Sequence, residues 1–136
     1  MKLSWAILCQ DVTSEGAGGA VDILGAGVAT TIAPDEPPPW GMPICIATCV
    51  VAGYDELQED SDHVFRFAVS DSAAGPVFSG REVVRYFAGG GYKDFPHTDI
   101  QGWKLEPIIM GPGDYTIEVV FDRQTPVTLL YRVFSL

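Results

Sequence analysis

The sequence predicts an all-β fold, an antiparallel sandwich of about eight strands. Three observations carry that expectation. Gly-, Pro- and Asp-rich turn signals recur at the spacing of an all-β domain. No segment holds a clean helical period over a useful length. After the turn Gly111-Pro112-Gly113-Asp114, the residues Tyr115, Ile117, Val119 and Phe121 alternate with Thr116, Glu118 and Asp122. Period-2 alternation of this kind marks a strand with one buried face.

The elements follow in order. Leu3 to Gln10 reads as a first strand, with Leu3, Trp5, Ile7 and Cys9 on one face. The apolar run stops at Gln10-Asp11, too short for a secretory leader. Residues 14–19 turn the chain. A second strand is expected from Ala20 to Ile32, bent at Gly25 and Gly27. The Pro-rich stretch from Pro34 to Pro43 can be neither helix nor central strand, so it is read as a stiff joint. Ile44 to Ala52 is apolar on both faces, as a covered central strand would be. Asp55, Glu56, Glu59, Asp60 and Asp62 follow in a loop or short helical turn. Four further strands are expected at about His63–Ser70, Val77–Ala88, Trp103–Met110 and Asp114–Asp122. A long Gly-rich loop separates the middle two. Val127 to Leu136 is the last strand, either core or an edge open to another chain.

The chain fits one domain, residues 1–136. Its net charge of −10 disfavours nucleic acid and anionic membrane surfaces as partners. No window is long and apolar enough for a membrane helix. Cysteines stand at 9, 45 and 49, an odd number. Cys45 and Cys49 lie four strand residues apart, about 13 Å, too far for a disulfide. Buried, reduced thiols in a cytoplasmic protein are expected.

Several motifs invite a chemical reading. Val21-Asp22-Ile23-Leu24-Gly25-Ala26-Gly27 opens like a dinucleotide fingerprint. The fingerprint needs a helix at its glycines, yet Thr30 replaces the third Gly and a β-branched, Pro-rich run follows. No cofactor is expected. The acidic residues 55–62 are oxygen-rich enough to raise calcium binding, but lack the order of an EF-hand loop. No metal site is assigned. His97-Thr98-Asp99 offers an oriented imidazole without a nucleophile motif, and Glu82 and Glu106 are one carboxylate pair among many. No catalytic residues are assigned, and no enzyme is expected. The loop from Tyr86 to His97 is the strongest binding candidate, since recognition concentrates on loops over a rigid scaffold. With it, Trp40, Tyr92, Phe95, His97 and Trp103 form the candidate binding surface.

Three features carry a resemblance across nearly the whole chain. They are the strand Ala6-Ile7-Leu8-Cys9-Gln10-Asp11, the strand Val21–Gly27, and the turn-Tyr strand from Gly111 to Tyr115. Together they resemble an uncharacterised bacterial family of small immunoglobulin-like β-sandwich proteins. The resemblance implies an immunoglobulin-like antiparallel β-sandwich in a bacterial, cytoplasmic setting, and it carries no catalytic residues over to this chain. The Tyr after the turn matches the corner Tyr of such sandwiches, whose hydroxyl bonds back to upstream backbone. The expected function is a non-enzymatic protein-interaction module acting through loop aromatics or an edge strand. The alternatives are a structural subunit of a homo-oligomeric phage or bacterial assembly, or a carbohydrate-binding module.

Overall fold

The computed structural model describes residues 1–15 and 20–136. The turn expected at 14–19 falls at residues 16–19 outside the described part. Among the described residues twelve strands are present, more than the eight expected: the predicted strands Ala20–Ile32 and Trp103–Met110 each divide, and short strands form at Asp11–Glu15, running into the expected turn, and at Trp40–Gly41, within the Pro-rich joint. They are β1 (Lys2–Cys9), β2 (Asp11–Glu15), β3 (Ala20–Leu24), β4 (Thr30–Ile32), β5 (Trp40–Gly41), β6 (Ile44–Ala52), β7 (Ser61–Asp71), β8 (Gly75–Tyr86), β9 (His97–Leu105), β10 (Ile108–Ile109), β11 (Gly113–Phe121) and β12 (Val127–Phe134).

Two sheets face each other. One runs β1-β6-β9 and the other β4-β12-β11-β7-β8. Among the described residues every strand pairing is antiparallel except β4 with β12, which is parallel. The core between the sheets is built by Ile44, Ile46 and Val50 from one side, and by Phe65, Phe67, Val69, Tyr115, Ile117, Val119 and Phe121 from the other. The alternation read for residues 115–121 therefore survives intact. Tyr115 is fully buried, and its hydroxyl donates to Gly111 O at 2.5 Å, the backbond expected of a corner Tyr.

The central strand expected at Ile44–Ala52 is β6, covered on both faces. Its inner face meets the main core. On its outer face Cys45 and Ala47 join Cys9 and Val12 in a second cluster, with Val21 and Ile23 packed against it. The β2–β3 hairpin supplies this third layer. It sits so close that a Cβ built on Gly102 of β9 would stand 2.3 Å from Val12 Cγ2.

Three boundaries differ from the sequence reading, each for a physical reason. The register of β1 against β6 slips between Leu3 and Trp5, leaving Ser4 as a bulge. Leu3, Ala6 and Leu8 therefore enter the main core, while Trp5, Ile7 and Cys9 turn to the outer cluster. The predicted Ala20–Ile32 strand is two strands in different sheets. Gly25 (φ 64°) and Gly27 (φ 83°) take the left-handed backbone that lets the chain cross between them. The predicted break before Trp103 is absent, since residues 97–105 pair with β6 along their whole length.

Candidate functional site

The loop from Tyr86 to His97 folds into a small hairpin, closed by a β-bridge between Tyr92 and Phe95. Gly89 (φ 96°) and Gly91 (φ 83°) set its turns. Its base is fixed to the acidic segment. Leu57, buried at the end of a 3₁₀ turn (Tyr54–Leu57), accepts from Gly89 N at 2.9 Å. Asp60 accepts from Ala88 N at 2.7 Å and pairs with Arg85 at 3.4 Å. The bond from Ala88 N holds the Asp60 carboxyl below its ordinary range, and Arg85 adds to it. Arg85 also pairs with Asp62 and lies over the Phe87 ring, 5.7 Å from its centroid. The acidic run thus anchors the hairpin, and Glu56 pairs with the terminal amine of Met1. Among the described residues, no group of three or more His, Cys, Asp or Glu converges to hold a metal ion.

From this base the hairpin presents aromatic side chains to solvent. Tyr92 is 79%, Phe95 70% and Phe87 69% exposed. All three lie within residues 87–95.

The other proposed binding residues separate from this group. Trp40 is a correction: it is 6% exposed, packed in the main core, with Nε1 donating to Glu36 O at 2.8 Å. A signal for this was present, because Trp40, Met42, Ile44 and Ile46 share one parity and all face inward. Trp103 is partly buried between the sheets, tilted against Phe65 and Phe67 with centroids at 4.7 and 5.1 Å. Its Nε1 donates to buried Thr48 at 2.9 Å. His97 is half-buried at the start of β9, opposite Ala52. Only Tyr92 and Phe95 of the five remain a surface, and Phe87 joins them unforeseen.

Beneath the hairpin, a polar network closes this end of the sandwich. The Tyr86 hydroxyl donates across the sheets to Asp99 at 2.6 Å, and Gln101 donates to the same carboxylate at 2.7 Å. Burial, then the Asp99 charge, pushes the Tyr86 phenol well above its usual range, so it stays a donor. His63 stacks on Phe121 at 5.2 Å and meets Tyr86 edge-on. Its Nδ1 donates to Asp122 at 2.7 Å, and its Nε2 lies 3.0 Å from Ser61 Oγ.

That chain has the hydrogen-bond order of a Ser–His–Asp triad, which the sequence did not foretell because Asp122 lies 59 residues from His63. It also ties β7 to the turn after β11. The open groove beside it, about 480 Å³, is lined by His63, Asp122 and Arg123 among others, but not by Ser61. Asp122 is fully committed: Oδ1 accepts from Val64 N at 2.9 Å, and its own N–H donates to Val64 O at 2.8 Å. Asp122 alone among the described non-glycine residues has a left-handed backbone (φ 52°). The Gly25–Gly27 segment is a crossover between strands, not the start of a helix, so it lacks the dipole a dinucleotide needs. Among the described residues, no helix is long and apolar enough to cross a membrane.

No protein-family model matches the chain, and no curated protein matches it.

Proposed function

We propose that this protein is a non-enzymatic interaction module that binds a protein partner through the aromatic hairpin at the end of β8. The observation that carries this reading is the exposure of Phe87, Tyr92 and Phe95 on a segment whose base is held by Leu57 and Asp60. Aromatic anchors on a pre-organised loop lose little entropy on binding and bury large area. The surface extends along β8, an edge strand of its sheet, which among the described residues pairs only with β7. An edge strand offers unpaired N–H and C=O groups to an extended partner segment. The net charge of −10 argues against nucleic acid and anionic membrane as that partner. A bacterial, cytoplasmic setting fits the resemblance of the sequence and its three free, buried cysteines.

The test is capture of partners from a lysate with the wild-type protein and with Tyr92→Ala/Phe95→Ala. Both side chains are exposed, so the double variant keeps its thermal midpoint. Partners held by the wild type and lost by the variant support the reading. Identical recovery by both removes it.

A second reading, self-association as a structural subunit, rests on Leu130 (69% exposed), Ile32 and Phe134, which share the outer side of β12 and β4. The last strand is not a bare edge, because β4 pairs with it over Arg132–Phe134. Sedimentation separates the readings: a monomer at high concentration counts against the second. Sugar stacking loses two of its rings, since Trp40 and Trp103 face inward.

A further inference from the structure

We infer that Cys9 and Cys45 form a redox-modifiable pair, joined by a disulfide when the protein meets a small-molecule disulfide such as oxidised glutathione. The observation is the register of β1 and β6, which sets Cys9 directly opposite Cys45. Directly opposed residues of an antiparallel pair have Cα atoms about 4.5–5.5 Å apart, inside the range of about 4.4–6.8 Å that a disulfide spans. Both side chains face the same way, into the cluster under the β2–β3 hairpin. Both thiols are buried, Cys9 at 6% and Cys45 at 7% exposure, so oxidation proceeds through local opening at the ends of β1 and β6. Cys9 and Cys45 both line one small hollow of about 140 Å³, whose other walls include Gln10, Thr31 and Tyr131.

The same register supplies an order of events. Lys104 of β9 lies opposite Cys45 on its other side, so Cys9, Cys45 and Lys104 form one row across three strands. The Lys104 ammonium, held at 3.1 Å by Asp11, favours the thiolate of Cys45. Burial works against it and raises both thiols, Asp11 adds to both, and Cys9 has its neighbour Cys45 against it as well. Cys45 is therefore the attacking thiol. Its thiolate, having released a proton, attacks one sulfur of the small disulfide, forms a mixed disulfide and expels one thiolate. The Cys9 thiolate then attacks the Cys45 sulfur, closes the Cys9–Cys45 bond and expels the second thiolate. The two protons lost by the cysteines are taken up by the two expelled thiolates, which leave as small thiols. Cys49, opposed in the register by Trp5 and Ile100, has no such partner and stays reduced.

The experiment treats the native protein with oxidised glutathione, then counts thiols after denaturation and maps disulfides by peptide mass spectrometry. The expected result is a fall from three thiols to one, loss of two hydrogens in mass, and a single Cys9–Cys45 linked peptide. Cys9→Ser is expected to stop at a glutathione adduct on Cys45, while Cys45→Ser forms no adduct at a comparable rate. Lys104→Met slows the first step. Three thiols persisting in the native protein, or a link through Cys49, overturns the pair. An adduct forming first on Cys9, or an unchanged rate in Lys104→Met, overturns the order.

Discussion

Gly102→Ala puts the packing of the third layer to a direct test. Adding one methyl group normally stabilises a glycine position by about 0.4–1 kcal/mol, through the unfolded chain, when the backbone accepts it. Gly102 sits in β9 without a left-handed φ, so the backbone does accept it. The space does not. The new carbon would lie 2.3 Å from Val12 Cγ2, 2.7 Å from Cγ1 and 3.0 Å from Cβ. Val12 is β-branched and buried, so it cannot swing aside. The hairpin must lift off the sheet instead. Overpacking of this kind costs about 1–3 kcal/mol, which outweighs the entropic gain, so the net effect is destabilising. Val12→Ala removes the obstacle and leaves a small void, at about 1–3 kcal/mol by comparison with other large-to-small core changes. The double variant is then better than the sum of its parts, with a coupling of about 0.5–3 kcal/mol. Urea unfolding of the four proteins, with a common m-value, measures this cycle. A neutral or stabilising Gly102→Ala, or strict additivity with Val12→Ala, would refute the docking of the hairpin on β9.

Other outcomes follow from the same contacts. Tyr115→Phe is expected to lose about 0.5–1.5 kcal/mol, the usual worth of a hydrogen bond, because the donor to Gly111 O disappears while the ring stays packed; an unchanged urea midpoint would contradict the corner bond. The Asp60 carboxyl is depressed in the folded protein, so its anchoring of the hairpin is present above its unfolded value near 4 and is lost as pH falls through the folded value. Hydrogen exchange at Ala88 is expected to gain relative to β6 amides across that acid range, and Asp60→Asn is expected to abolish the pH dependence. A flat profile in the wild type would show that the bond from Ala88 N does not hold the loop.

What the sequence made legible was whatever is decided locally. Residues 115–121 alternate because one face of β11 is buried, and β6 is apolar throughout because it is covered on both faces. The corner Tyr needs only its own turn, four residues upstream. Register is another matter. The bulge at Ser4 inverts the outlook of everything after it in β1, and only pairing with β6 imposes it. The switch of sheets at Gly25–Gly27 depends on where β12 offers an edge to β4. In the candidate site, Tyr92 and Phe95 were legible because a Gly-flanked loop keeps its aromatics outside. Trp40 was misplaced because the Pro-rich joint masked its common parity with Met42 and Ile44. The opposition of Cys9 and Cys45, 36 residues apart in number, exists only in the register.

The central claim is that the aromatic hairpin is a binding surface, and partner capture with wild type and Tyr92→Ala/Phe95→Ala tests it most directly. The account predicts that a defined protein is held by the wild type and lost by the double variant, with both proteins unfolding at the same temperature. Equal capture by the two, or the same loss only in company with a lowered unfolding temperature, would contradict it.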